Sequence, residues 1–153
     1  MSSGNDTITG TSGADIIDAG EGDDIVNALA GNDTITGGKG DDILNGGAGN
    51  DTYNYIRGDG NDTITELSLG GSSDRLVFTD INQADVTLVR NGTDVTLIIA
   101  ESAPGAGDGG SILLKDNFED VTDRGIDRIV FADNSAWTRA SMRAASRPSF
   151  VSR

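Results

Sequence analysis

The chain has 153 residues with 25 acidic and 11 basic side chains, a formal net charge of −14, and no histidine or cysteine. This composition excludes metal sites built on imidazole or thiolate, and it excludes Ser-His and Cys-His nucleophile pairs. The acidity disfavours nucleic acid and anionic lipid as partners, and no apolar run reaches the roughly 18 residues that a membrane span needs.

In the first part of the chain an aspartate recurs every nine residues, with one slip of two residues at Tyr55-Ile56. A glycine stands two positions before each aspartate, and an apolar residue stands two positions after it. Glycine permits a left-handed turn and the apolar side chain points inward, so each unit is predicted to be a turn followed by a short strand. The aspartates are Asp6, Asp15, Asp24, Asp33, Asp42, Asp51 and Asp62.

Residues 37–45 and 46–54 match the nonapeptide G-G-x-G-x-D-x-U-x at every specified position. Over residues 1–65 the chain therefore resembles the RTX (repeats-in-toxin), or haemolysin-type calcium-binding, family, although five units depart from the pattern at their leading glycines. The resemblance implies an all-β fold, namely a parallel β-roll, or β-solenoid, of nonapeptide repeats. Successive repeats are then expected on alternate sides of the roll.

Calcium is the metal that this resemblance implies. Carried over by position, Asp6, Asp24, Asp42 and Asp62 are expected to line one edge of the roll, and Asp15, Asp33 and Asp51 the other, with the pairing of Asp62 the least secure because of the slip. Each Ca²⁺ site is expected between one repeat and the next but one. Seven repeats form five such pairs, so about five Ca²⁺ sites are expected. The resemblance also implies loop carbonyl ligands from Gly13, Gly20, Gly22, Gly31, Gly38, Gly40, Gly47, Gly49, Gly60, Asp23 and Asp41.

Charge predicts that calcium binding and folding are one event. Residues 1–66 hold thirteen acidic and two basic side chains, a net charge of −11, and the core between two short strands is thin. A cation must neutralise the acidic edges before they can close. A disordered acidic spacer is the alternative state, and it is expected when calcium is absent.

A second, β-rich module is predicted over residues 66–137. After Glu66 the acidic and basic side chains are nearer balance, with twelve acidic and nine basic residues to the end of the chain. Strands are predicted near residues 75–78, 86–89, 95–99, 112–114 and 128–131, with a hairpin turn at Asn91-Gly92 and a loop over 102–110. The module is expected to cap the open end of the roll. Its covering side chains are predicted to be Phe78, Leu88, Leu97, Ile99, Leu114, Phe118, Ile129, Phe131 and Trp137.

Residues 138–153 form a tail with four arginines and no acid, and a short helix is predicted over 138–145. No N-terminal signal segment is recognisable. The chain starts inside a repeat, with residues 1–4 in place of its first four positions, and it is therefore expected to be a C-terminal portion of a larger protein.

The favoured function is a non-enzymatic module that folds on binding calcium after export. The resemblance implies a secreted, extracellular protein of a Gram-negative bacterium that leaves through a type I secretion apparatus, and the module is expected to be a monomer. An accessory polysaccharide-binding module of a secreted enzyme and part of a surface adhesin stay open as alternatives. Carbohydrate could stack on Tyr53, Tyr55 or Trp137, and a polyanion could be held through calcium bridges or by Arg75, Arg90, Arg124 or Arg128.

Overall fold

The computed structural model describes residues 3–65, 73–92, 94–115, 126–138 and 141–142. Thirteen strands are formed in these ranges, and a 3₁₀ turn lies at Gln83–Asp85. In chain order the strands are β1 Thr7–Thr9, β2 Ile16–Asp18, β3 Ile25–Asn27, β4 Thr34–Thr36, β5 Ile43–Asn45, β6 Thr52–Tyr55, β7 Asn61–Thr65, β8 Arg75–Phe78, β9 Val86–Asn91, β10 Asp94–Ile99, β11 Gly110–Lys115, β12 Arg128–Val130 and β13 Ala136–Thr138.

The strands of the repeats alternate between two sheets, as a β-roll requires. One sheet has the order β1-β3-β5-β7-β11-β10-β9, and the other has the order β13-β12-β8-β6-β4-β2. Within each sheet the repeat strands pair in parallel, so that Ile8 lies beside Val26 and Ile17 beside Ile35. Two nine-residue repeats therefore make one coil, and the predicted parallel roll is confirmed.

The core is the layer between the two sheets. The middle residue of each short strand points into it, and Ile35, Leu44 and Tyr53 have almost no exposed surface. The flanking residues point outward, where Ile16 is 90% exposed. This alternation arises from the two-residue period of a strand, which places only one side chain of a three-residue strand inside.

The two-residue slip is absorbed in a turn and leaves the register of the sheet intact. Tyr55 extends β6 by one buried residue, while Ile56 and Gly58 form the enlarged turn. The carboxylate of Asp59 closes this turn by accepting a 2.9 Å hydrogen bond from the Ile56 amide. As a result β7 still pairs with β5, and Ile64 lies beside Leu44.

The segment after the repeats continues both sheets. Strand β8 adds to β6 in parallel, β12 adds to β8 in parallel, and β11 adds to β7 in parallel. The antiparallel strands β10 and β9 then end one sheet, and the antiparallel strand β13 ends the other. The core is therefore continuous along the described part of the molecule, from Ile17 to Met142.

Most sequence predictions for this segment agree with the structure. All five predicted strands are present with slightly different bounds, and Asn91-Gly92 leads into the β9–β10 hairpin, where Gly92 has a φ of 66°. Phe78, Leu97, Ile99, Leu114, Ile129 and Phe131 are buried, and Leu88 and Trp137 pack against the core from partly buried positions. Phe118 and five of the eight residues of the predicted helix over 138–145 lie outside the described residues.

The proposed carbohydrate platform on Tyr53 and Tyr55 is wrong. These side chains are 0% and 2% exposed, because the sheets bury both inward positions of β6. The Tyr53 hydroxyl accepts a hydrogen bond from the Gly46 amide, and the Tyr55 hydroxyl donates one to the Gly60 carbonyl.

In the part of the chain described here, no helix is long and apolar enough to cross a membrane.

Candidate metal centre

The repeat aspartates form two ladders, one along an edge of each sheet. The backbone amide of each aspartate donates to the Oδ1 atom of the aspartate in the next coil, at 2.7–3.0 Å. One ladder is Asp6, Asp24, Asp42 and Asp62, and the other begins with Asp15, Asp33 and Asp51. The slip does not displace Asp62, because the Asp42 amide reaches its Oδ1 atom at 3.0 Å.

Where the residue before an aspartate is Asn or Asp, a second set of contacts runs in the opposite direction. The amide of Asp23 donates to Asn5 Oδ1, and the amide of Asp41 donates to Asp23 Oδ1, both at 2.8 Å. On the other edge the amide of Asn50 donates to Asn32 Oδ1 at 2.9 Å. Neighbouring turns are thus joined by two side-chain contacts of opposite polarity, except at the turn of Asp15, where Ala14 has no side-chain acceptor.

One oxygen of each central carboxylate has no partner. The Oδ2 atoms of Asp24, Asp33, Asp42 and Asp51 are buried and accept no hydrogen bond, although each side chain is at most 1% exposed. A buried, unpaired carboxylate oxygen carries a large desolvation cost. The same position in successive coils therefore presents anionic oxygens that a cation would satisfy.

Burial alters the acidity of these carboxylates. Loss of water, together with the charge of neighbouring carboxylates, raises the pKa of Asp42 to about 6, of Asp51 to about 7 and of Asp62 to about 8. The pKa of Asp33 is raised for the same reasons. Keeping these buried carboxylates ionised therefore costs free energy, and a bound cation would lower that cost.

The turns that carry the aspartates lie in contact with one another. A side chain at Gly38 would place its Cβ 1.9 Å from the Gly20 carbonyl oxygen, and one at Gly40 would place it 2.0 Å from the Gly22 carbonyl oxygen. Both glycines also have a positive φ, of 87° and 121°. Glycine at these positions lets the carbonyl-bearing turns stack coil on coil.

The other predicted carbonyl donors belong to the same stacked turns. The carbonyl oxygens of Gly13, Gly31 and Gly60 each face a glycine of the next coil, and Gly47 and Gly49 face the turn of the preceding coil. In the described residues no three acidic side chains converge on one point that could hold a metal. A cation between two coils would therefore take few carboxylates and complete its shell with carbonyl oxygens, as calcium does.

Comparison with known proteins agrees with this geometry. A family model described as the RTX calcium-binding nonapeptide repeat, in four copies, matches residues 2–35 and 21–53. Residues 2–53 therefore contain RTX, haemolysin-type calcium-binding repeats. A second model, described as a haemolysin-type calcium binding protein related domain, matches residues 105–141 beyond the RTX repeats.

Solved structures of other RTX modules have the same fold. The AlgE6R3 subunit of the Azotobacter vinelandii mannuronan C5-epimerase is 27% identical, with a TM-score of 0.61 over 88% of this chain and 83% of that chain. The AlgE6R2 subunit of the same epimerase is 21% identical, with a TM-score of 0.57 over 85% and 89%. No curated protein sequence matches the chain.

The ladder on the second edge extends beyond the RTX repeats, and the sequence pattern did not predict this extension. The amide of Asp51 donates to Asp74 Oδ1 at 2.8 Å, and the amide of Asp74 donates to Asp127 Oδ2 at 3.0 Å. A signal was present, because Leu76 and Ile129 stand two positions after these aspartates, as the apolar residue does in each repeat. The irregular spacing of 23 and 53 residues concealed it.

Proposed function

We propose that this RTX module folds by binding several calcium ions and serves the extracellular folding of a larger secreted protein. The observation that carries the proposal is the row of buried, unpartnered Oδ2 atoms on Asp24, Asp33, Asp42 and Asp51. Without a cation, each coil added to the roll buries another carboxylate beside the last one. With a cation between the coils, the same carboxylates stabilise the stack.

The chemistry of the donor set fits calcium. Calcium accepts six to eight oxygen ligands at flexible geometry, whereas magnesium demands near-octahedral coordination and dehydrates reluctantly. The proposed ligands are the seven repeat aspartates together with carbonyl oxygens of the stacked turns, forming about five sites between next-but-one repeats. A bound ion supplies positive charge there, while the chain's own amide-to-carboxylate contacts keep the turns in register.

The test is circular dichroism during a calcium titration in a chelator-treated sample, with magnesium as the control and Trp137 fluorescence followed in parallel. A cooperative coil-to-β transition that requires calcium is expected. Asp42→Asn keeps the hydrogen-bond acceptor but removes the negative charge that would attract the calcium ion. It should therefore raise the calcium concentration at the midpoint of the folding transition. Asp18→Asn makes the same change at an exposed strand position and should not. A chain that is fully β-structured in chelator would contradict the proposal.

The export role is a separate part of the proposal. Calcium is scarce in the cytosol and abundant outside the cell, so a chain of this kind would stay unfolded during passage through a type I apparatus of a Gram-negative bacterium. Folding outside would then oppose backsliding. If Asp33→Ala and Asp42→Ala in the full parent protein left its export unchanged, the export role would be wrong and calcium-dependent folding would be unaffected.

A second candidate is an accessory, non-catalytic module that binds an acidic polysaccharide. The observation that favours it is a hollow of about 230 Å³ lined by Asn50, Ser73, Arg75 and Arg128. The two arginines occupy paired positions on neighbouring strands β8 and β12, so their charges face the same side of the sheet. The 27% identical AlgE6R3 subunit belongs to an enzyme that is named for a uronate polymer.

Two arginine variants test this candidate. Arg75→Gln and Arg128→Gln should each weaken binding of an oligouronate to the calcium-loaded module, measured by calorimetry or by NMR shifts. Arg90→Gln changes the net charge equally on strand β9 of the other sheet, and it should have little effect. Equal losses in all three variants would indicate attraction by overall charge and would contradict a site at the hollow. Arg124, the fourth predicted arginine, lies outside the described residues.

A further inference from the structure

We propose that Asp51 and Asp74 form an additional calcium site, at which a segment outside the nine-residue repeats supplies the turn that follows the last repeat on the second edge. The inference rests on the proposed calcium binding by the repeat carboxylates. It goes further because neither the repeat pattern nor the matched ranges 2–53 and 105–141 include Asp74.

Ser73, Asp74 and Arg75 reproduce the contacts of a repeat. The Ser73 amide donates to Asn50 Oδ1 at 2.8 Å, as the Asn50 amide does to Asn32 Oδ1 at 2.9 Å. The Arg75 amide donates to the Asp51 carbonyl at 2.9 Å, as the Thr52 amide does to the Asp33 carbonyl at 2.8 Å.

With the contact from the Asp51 amide to Asp74 Oδ1, three hydrogen bonds place Asp74 where the next repeat aspartate would stand. The backbone of Asp74 is held from the other side as well, because its amide donates to Asp127 and its carbonyl accepts from the Asp127 amide at 2.8 Å.

Asp51, the aspartate that precedes Asp74 in the ladder, has an unpaired carboxylate oxygen. Asp51 is completely buried, and its Oδ2 atom accepts no hydrogen bond. Asp74 is only 1% exposed, and its Oδ1 atom accepts the Asp51 amide at 2.8 Å. Two carboxylates are thus buried side by side, and the Oδ2 atom of Asp51 is orphaned.

The fold itself does not require an acid at position 74. An asparagine or serine oxygen there would accept the Asp51 amide equally well without burying a second charge. The other sheet provides the comparison, because Ile112 lies beside Asp62 in the equivalent coil and the ladder ends there. A buried carboxylate at this position on the second edge, where the other edge has Ile112, points to a ligand on the second edge.

The experiment counts calcium ions per chain by native mass spectrometry at saturating calcium. Asp74→Asn, which keeps the acceptor for the Asp51 amide, is expected to bind one calcium ion fewer than the wild type. Asp18→Asn, an exposed change of the same kind, should bind the wild-type number. If Asp74→Asn binds the wild-type number, the additional site is absent and the repeat sites stand. If the wild type binds no calcium, the proposed function fails with it.

A crystal structure of the wild-type chain grown with calcium decides the question independently of how the variant folds. An anomalous peak within about 2.6 Å of carboxylate oxygens of both Asp51 and Asp74 is expected, since calcium–oxygen distances are about 2.3–2.6 Å. Anomalous peaks at the repeat turns with none between these two residues would overturn the inference.

Discussion

Gly47 lies directly against Leu29 of the preceding coil, so closely that a Cβ on the glycine would come within 1.9 Å of the Leu29 carbonyl oxygen. The two residues occupy the same position in repeats two units apart. Both have a left-handed backbone, with φ of 83° at Gly47 and 79° at Leu29. Leu29 thus adopts a turn conformation that glycine adopts at the equivalent position elsewhere, and this contact leads to two predictions.

Gly47→Ala should destabilise the roll strongly. The new Cβ meets backbone that cannot move without separating the coils, and the positive φ is unfavourable for alanine, so a loss of about 2–6 kcal/mol is expected. Gly58→Ala is the matched control, because Gly58 also has a positive φ, of 93°, but no atom lies within 4 Å of its Cβ position. Urea unfolding at saturating calcium measures both variants. Equal losses of unfolding free energy in the two variants would mean that backbone strain at positive φ, and not contact between the turns, explains the glycine at position 47.

Leu29→Gly should be more stable than Leu29→Ala by about 1 kcal/mol. Both variants remove the half-exposed leucine side chain, but only glycine relieves the left-handed strain, which costs about 1–2 kcal/mol and exceeds the extra chain entropy of glycine. The difference is measured as the shift in urea midpoint between the two variants. An alanine variant as stable as the glycine variant would show that Leu29 is not strained.

In the presence of a chelator, the β-structured state should become more stable as the pH falls from 8 towards 4. The pKa values of Asp42, Asp51 and Asp62 are raised from 3.8 to about 6, 7 and 8, so the folded chain binds more protons than the unfolded chain in this window. The stabilisation is complete below the unfolded pKa and is lost as the pH rises through the folded values. Circular dichroism across this range in chelator measures it, and a stability that is constant or rises with pH would contradict the ladder electrostatics.

Ile35→Ala should cost about 2–5 kcal/mol, because the side chain is fully buried between the sheets and its loss leaves a cavity in a thin core. Ile16→Ala removes the same atoms from a side chain that is 90% exposed, and a change within about 0.5 kcal/mol is expected. Calcium-saturated urea unfolding compares them directly. Similar losses in both variants would mean that the outward face of β2 is covered in solution.

The sequence alone was sufficient to predict the repeating part of the fold. Each nine-residue unit contains its own turn glycine, ladder aspartate and inward apolar residue, so the strands, the two acidic edges and the core positions result from local rules applied repeatedly. Even the slip at Tyr55-Ile56 changed only a turn, since the Asp62 carboxylate still meets the Asp42 amide. The buried core of the second segment was likewise predictable from its alternating apolar residues.

Tertiary structure alone decided how the sheets continue beyond the repeats. Strand β11 joins β7 in parallel with Ile112 beside Asp62, across 50 residues of chain, and no local pattern specifies that pairing. The same holds for Asp74 and Asp127, which continue a ladder at irregular spacings, and for Arg75 and Arg128, which become neighbours only when β12 adds to β8. Within the repeats the pairing of each strand can be predicted from the sequence because the spacing is constant. Where spacing varies, the hydrogen bonds between exposed sheet edges and the need to cover the end of the core select the partner.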